Sequence, residues 1–394
     1  MEITRLLISD PGSMLAFPSA VMTVGLVIGD GRVFWGECLI NPTRGDQKPT
    51  IQRLVDLCEQ RLRGEHAADF RELCQLILPI FPPPGKLVLA DRVKGAIQQA
   101  MLGAVSAFQA RSAVEILATA YNLPEWKGIR DTPLIFLEAD DHSATAEIYD
   151  RFLAGNPAGV GYRINGERAS DSIGEKAEYL QEFVRDLSKR SDQLAVSAER
   201  KPAIYLALNG AFGRLARDPI IHLGKILEFC HVMHEAAGVH RVLLEEPFLI
   251  EDSLAQPANM RRLKDHLYRT VNSGLVENAV ILVQRAGSIP AEELPIYVDT
   301  EAVHGIIFEP LLTTDIDSEM TRMVTFIAGN IDVYVSLRTF EGVLPTPRWI
   351  ETAVELAFAQ RAKGMILNIH PDHKYVAGHA AKHVAELSAL IASR

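Results

Sequence analysis

Hydrophobic and polar positions divide the chain into two stretches with different rhythms. In the first 40 residues the apolar positions fall in β-rich runs. Val21–Ile28 and Arg32–Cys38 are two such runs joined at Gly29-Asp30-Gly31, and Asp-Gly between β-rich runs is a strong hairpin signal. Residues 49–63 and 66–79 carry Leu, Ile and Val at three- and four-residue spacing, which predicts helices. Pro82-Pro83-Pro84-Gly85 breaks the chain, and residues 90–120 then predict one or two helices rich in Ala, Leu and Val. Strands first and helices after is the order of an α+β domain, expected over residues 1–130.

From residue 131 onward, short apolar runs alternate with amphipathic stretches. Strands are predicted at 133–137, 159–164, 203–208, 241–245, 295–298, 305–308, 331–337 and 364–369. Helices fall between most of them, as at 219–237, 316–328 and 348–361. The segment VENAVILVQ, within 265–294, reads equally as strand or helix. Eight strand candidates, most followed by a helix candidate, is the arithmetic of a (β/α)8 barrel. The expected fold class is therefore α/β, an N-terminal α+β capping domain followed by a TIM barrel over residues 131–394.

Composition narrows the function classes. Hydrophobic residues make up 48% of the 394 and charged residues 23%, too apolar for a disordered chain. No apolar run approaches the ~20 residues of a spanning helix, so no membrane partner is expected. Fifty Asp+Glu against 40 Lys+Arg, a net charge of −10, argues against nucleic acid, whose phosphates need clustered cations. The N-terminus MEITRLLISDPG lacks the basic start and apolar core of a signal peptide. Cys38, Cys58, Cys74 and Cys230 are scattered, with no CxxC pair; reduced thiols in a cytoplasmic protein are expected.

Barrel enzymes build their sites at the C-terminal ends of the strands. The residues there are Glu138, Arg163 with Asn165, Asn209, Glu245 with Glu246, Asp299 with Glu301, Glu309, Arg338 with Glu341, and His370. A polar rim is expected whatever the function. Yet Glu245, Asp299 and Glu309 fall on successive predicted strands, and unpaired they would repel one another. Either a hard divalent cation such as Mg2+, which takes oxygen ligands, or Arg163 and Arg338 neutralise them. The two arginines are also the best candidates for binding an anion, because guanidinium pairs carboxylate or phosphate through two hydrogen bonds.

The order of these elements resembles the enolase superfamily and, within it, the methylaspartate ammonia-lyase family. TVGLVIGDGRVFWGEC (23–38) is similar to that family's cap hairpin, and residues 93–123 to its long cap helices. IYLALNGAFG (204–213) resembles the third barrel strand with its turn. LLEEPF (243–248) and YVDTE (297–301) resemble the fourth and fifth strand ends. The resemblance implies a Lys base that removes a proton next to a carboxylate, and an enolate stabilised on Mg2+. It implies three acidic metal ligands on the third, fourth and fifth strands. Here the third-strand position falls on Ala207, while Glu245 and Asp299 match the others. The base position falls on Glu309, the assisting His on Gly161 beside Arg163, and a substrate-binding Gln on Glu138.

The expected site is accordingly Glu245, Asp299 and Glu309 for a metal, His370, Glu309 and Arg163 for catalysis, and Arg163, Arg338, Asn209 and Glu138 for a small anionic substrate. Lys363 precedes the eighth strand, at the wrong end for a base. Gly210-Ala211-Phe212-Gly213 lacks the Lys-Ser/Thr of a phosphate loop. His379 and His383 share a helix face without a third ligand, and Thr346 is placed to cap a helix opening at Pro347. Three readings follow: an enzyme of altered chemistry on a small carboxylate or phosphate, a non-catalytic subunit that binds a protein partner, or a working methylaspartate-type lyase. A homodimer or larger symmetric homo-oligomer is the default assembly for such folds.

Overall fold

In the computed structural model the β-rich N-terminal runs form one antiparallel sheet. Its strands β1 (Ile3–Ser9), β2 (Val21–Ile28) and β3 (Val33–Leu39) lie in that order. The structure describes residues 1–9, 21–40, 47–66, 68–83, 87–123, 134–140, 158–164, 173–193, 202–216, 220–238, 240–274, 278–290, 293–310, 315–338, 346–369 and 374–392. The expected hairpin joins β2 to β3. Asp30 makes it: its carboxylate accepts from the Arg32 backbone N–H at 3.0 Å and from Arg32 Nε at 2.8 Å.

Helices α1 (Lys48–Leu62), α2 (Phe70–Ile77), α3 (Val88–Gln109) and α4 (Ala113–Ala120) cover the sheet. Helix α1 buries Ile51, Val55, Cys58 and Leu62, the three- and four-residue spacing of one helical face. Asp69 caps α2, and a reciprocal Ser112–Glu115 capping box opens α4. Glycine sets how closely the sheet and α3 approach. A Cβ at Gly36 would stand 1.8 Å from the Ala96 carbonyl oxygen.

The second stretch closes into an eight-stranded parallel barrel. Its strands in chain order are β4 (Leu134–Asp140), β5 (Gly159–Arg163), β6 (Ala203–Ala207), β8 (Val242–Glu245), β10 (Val280–Arg285), β11 (Gly305–Phe308), β12 (Asp332–Ser336) and β13 (Gly364–Ile369). Two short strands, β7 (Arg214–Ala216) and β9 (Leu249–Ile250), pair outside the ring. The helices between them are α5 (Ile173–Gln193), α6 (Ile220–Ala237), α7 (Ala255–Arg269), α8 (Leu294–Asp299), α9 (Ile316–Ala328), α10 (Pro347–Ala359) and α11 (Lys374–Ala392). Phe136, Tyr205, Leu243, Val283, Ile307, Tyr334 and Ile366 pack against one another inside the barrel. The expected domain boundary at 130/131 lies outside the described residues. Among those described, no helix is long and apolar enough to cross a membrane.

One strand differs from expectation. The fifth barrel strand is Val280–Arg285, and the predicted strand at 295–298 lies in α8. Pro295 sits in the first turn of α8, where a missing N–H costs nothing. Its buried residues are Leu294 and Tyr297, three apart as on a helix face. Strand β10 is held through its first half. Asn272 accepts from the Val280 N–H at 2.9 Å and donates to the Val280 carbonyl at 3.0 Å. His304 Nδ1 accepts from the Leu282 N–H at 2.9 Å.

The cap meets the barrel at segments that follow the C-terminal ends of β11 and β12. Asp315, which caps α9, takes the buried Lys94 ammonium at 3.2 Å and Gln98 Nε2 at 3.0 Å. Tyr121 donates to Asp317 at 2.6 Å. Thr346, the expected cap of α10, donates its hydroxyl to Glu37 and accepts from the Trp349 N–H. The cap therefore abuts the end of the barrel where sites are built.

Candidate active site

Strand geometry decides which side chains reach the barrel mouth. Alternate residues of a strand share a face. Leu243, Val283, Ile307 and Tyr334 point into the barrel, so the same parity carries inward Glu245 on β8, Arg285 on β10, Glu309 just past β11 and Arg338 just past β12. These four meet. Arg338 Nη1 donates to Glu245 Oε1 at 2.9 Å and Nη2 to Oε2 at 2.6 Å. The same guanidinium donates to Tyr205 Oη at 2.7 Å and to Glu309 Oε1 at 3.4 Å. Arg285 Nε stands 3.3 Å from Glu245 Oε1.

A second carboxylate sits beside this group. Glu246 is buried with φ +45°, a backbone state that non-glycine residues adopt rarely and mostly under surrounding constraint. Its carboxylate accepts from Arg285 Nε at 2.8 Å and Nη2 at 2.5 Å, from Gln284 Nε2 at 2.8 Å and from Ser288 Oγ at 2.6 Å. Gln284 is in turn held by Gln256 at 3.4 Å. The cluster fixes Arg285 through its acid.

Electrostatics follow the pairing. Burial opposes the charge on Glu245, but Arg338 first, then Arg285 and Arg163, outweigh it and hold the carboxyl below its ordinary range. Glu246, Glu245 and Glu309 together raise the affinity of Arg285 for its proton against the cost of its own burial. The acids are neutralised by guanidinium. Arg338, part of one of the two alternatives the sequence left open, does this, and Arg285, unforeseen, does it beside Arg338.

The expected residues fare differently. Asp299 is not at a strand end: it closes α8, is exposed, and belongs to no acid cluster at the mouth. The YVDTE segment is likewise helix and turn, with Glu301 paired to Arg261 at 3.2 Å. The proposed ligand set Glu245/Asp299/Glu309 is therefore corrected, because the strand assumed to carry Asp299 is a helix. Among the described residues no three His, Cys, Asp or Glu side chains converge as a metal site.

Arg163 ends β5 and acts on Glu245 by charge. Asn209, at φ +50°, donates Nδ2 to the Ile164 carbonyl, while its buried Oδ1 has no partner among the described residues. Glu138 lies in β4 opposite Gly161; its side chain, Asn165, Glu341 and His370 fall outside the described residues. Position 161 has no room for a side chain, since a Cβ there would lie 2.1 Å from the Tyr205 carbonyl oxygen.

Lys363 is exposed before β13, at the far end of the barrel. The Gly210–Gly213 turn spends its N–H groups on main-chain carbonyls, Gly210 on Glu246 and Phe212 on Pro247, leaving no cradle for phosphate.

Sequence reasoning missed Arg285 and Tyr205, and it placed Glu246 at a strand end without giving it a role. The signal for Arg285 was present: if VILVQ is a strand, alternation places residue 285 on the same face as Ile281 and Val283.

Comparison with known proteins agrees with the geometry at the level of fold. The family pattern described as "Methylaspartate ammonia-lyase C-terminus" matches residues 165–308. Methylaspartate ammonia-lyase 2 of Carboxydothermus hydrogenoformans is 22% identical over 360 residues, 87% of this chain and 80% of that one. A solved methylaspartate ammonia lyase from Clostridium tetanomorphum superposes with TM-score 0.75 at 18% identity, covering 100% of this chain and 99% of its own. A beta-methylaspartase from the same organism, solved as a Mg complex, superposes with TM-score 0.73 at 17% identity over 100% of both chains.

Proposed function

We propose that this chain, a methylaspartate ammonia-lyase-like protein with the fold of the enolase superfamily, binds a small carboxylate at its barrel mouth and moves a proton at the adjoining carbon. Glu309 is the proton acceptor. The observation that carries the reading is the contrast between two neighbouring acids. Glu245 is wholly buried with both oxygens tied to Arg338. Glu309 is 7% exposed and, among the described residues, is held only through Oε1, at 3.4 Å. One carboxylate is structural; the other keeps an oxygen for chemistry.

The reaction class is proton removal coupled to loss of a leaving group from the neighbouring carbon. Glu309 takes the proton, the C–H electrons form the new double bond, and a group such as ammonia leaves with its bonding pair. The negative charge that builds on the substrate carboxylate is met by guanidinium hydrogen bonds.

A resident Mg2+ does not fit this donor set. It requires oxygen ligands in octahedral array. The third strand offers Ala207, the fourth a carboxylate already bonded to guanidinium, and the fifth ends in Arg285. The Mg complex is a property of the related methylaspartase.

The test is deuterium uptake from D2O into 3-methylaspartate, followed by NMR with EDTA present. Wild type exchanges the hydrogen next to the carboxylate, and Glu309→Gln loses at least about 100-fold of that rate, the scale of a general base. Exchange that survives Glu309→Gln, or that occurs only when Mg2+ is added, overturns the reading.

A further inference from the structure

We propose that Arg285 is the substrate-binding cation of this site, a fixed guanidinium that receives the ligand carboxylate where a metal would otherwise be needed. The inference rests on the reading of the barrel mouth as a carboxylate site, and assigns the group that makes the contact.

Two guanidiniums touch Glu245, and their surroundings separate their roles. Arg338 is 1% exposed. It serves both oxygens of Glu245, the Tyr205 hydroxyl and Glu309. Its donors are directed at the protein, so it is a positioning residue that sets Glu245 and Glu309. Arg285 is 23% exposed. Its Nε and Nη2 donate to Glu246, while Nη1 makes no hydrogen bond among the described residues. A guanidinium carries five N–H donors in a planar fork, so the Nη1 side is left to accept a planar carboxylate.

The anchor behind Arg285 is rigid. Glu246 is buried at φ +45° and receives hydrogen bonds from Gln284, Ser288 and the Arg285 backbone N–H as well as the guanidinium. A long flexible side chain is thereby held in one place, which removes most of the entropy a free arginine would lose on binding. Charge balance is also met. Glu245, Glu246 and Glu309 are offset by Arg285, Arg338 and Arg163, all of which act on this group. Among the described residues, an arriving carboxylate therefore meets balanced charge and an open N–H edge.

The experiment is calorimetric titration of the full chain with succinate, in EDTA and again in Mg2+. Wild type binds with the same affinity in both buffers. Arg285→Gln weakens binding about tenfold or more, the loss expected for a charge-assisted pair. Arg285→Ala with millimolar guanidinium chloride added regains a measurable part of the affinity. Arg285→Lys keeps the charge but not the fork, binds weaker than wild type, and serves if the Gln variant does not fold by circular dichroism. Equal affinity in wild type, Arg285→Gln and Arg285→Lys overturns this inference alone. Binding of succinate only in Mg2+ also overturns it. No succinate binding by wild type in either buffer overturns the carboxylate reading and this inference with it.

Discussion

Glu245 keeps its charge although it is fully buried. Burial favours its proton, and three arginines favour its loss; the arginines win because Arg338 meets both oxygens within hydrogen-bond distance. A neutral side chain solves a similar problem nearby. His304 accepts the Leu282 N–H through Nδ1 between two barrel strands, which only the unprotonated ring can do. Burial, helped by Lys264, pushes its pKa from 6.5 down to about 3. The unfolded chain therefore protonates first as pH falls. Stability is full above 6.5 and drains between 6.5 and about 3. After discount for partial exposure the loss is on the order of 2 kcal/mol. His304→Gln, which keeps an acceptor without titrating, is expected to flatten the fall in denaturation free energy between neutral and acid pH. Parallel pH profiles for the two proteins would remove His304 as the cause.

Elements explain why one strand was misplaced in the sequence. VILVQR and LPIYVD are both short, apolar and rich in β-formers. Local propensity does not separate them. Pairing does: Val280–Val283 aligns with Val242–Glu245 on one side, and Val283–Arg285 with Gly305–Ile307 on the other. The elements also settle what position 161 can hold. Strands β5 and β6 run so close that a Cβ at Gly161 would overlap the Tyr205 backbone. Gly161→Ala is expected to cost about 3 kcal/mol or more, as an overpacked core site, measured by urea denaturation. A cost under about 0.5 kcal/mol, the scale of a neutral surface change, would mean the strands separate freely. A residue with a functional side chain is thus excluded there by backbone spacing.

At the scale of the whole molecule, the cap is tied to the barrel by a buried charge. Lys94 of α3 and Asp315 of α9 are both almost fully buried and 3.2 Å apart. Asp315 also takes Gln98, the Ser318 N–H and the Ser318 hydroxyl. Removing the ammonium leaves a buried carboxylate short of its counter-charge. Lys94→Met is expected to cost about 3–5 kcal/mol, and adding Asp315→Asn to restore part of that loss. A double variant no more stable than Lys94→Met would show that the pair is not what couples the two. The contact fixes α3 of the cap against the N-terminal end of α9.

What the sequence determined by itself is what depends on neighbours along the chain. Alternation, helical spacing and Asp-Gly and Pro signals located the cap hairpin, its helices and seven of the eight barrel strands. Strand-end position alone placed Glu245, Glu309, Arg338 and Arg163 at the mouth. Tertiary structure decided the rest. Which apolar segment became the fifth strand depended on partners on both sides. That choice moved Asp299 onto an exposed helix end and brought Arg285 inward. Whether the acids face a cation from solution or from the chain was likewise decided by barrel closure, which joins Arg338 to a carboxylate 93 positions away. Charge pattern along the sequence shows that acids need partners; only the closed ring shows that guanidinium is the partner, because pairing acts through space.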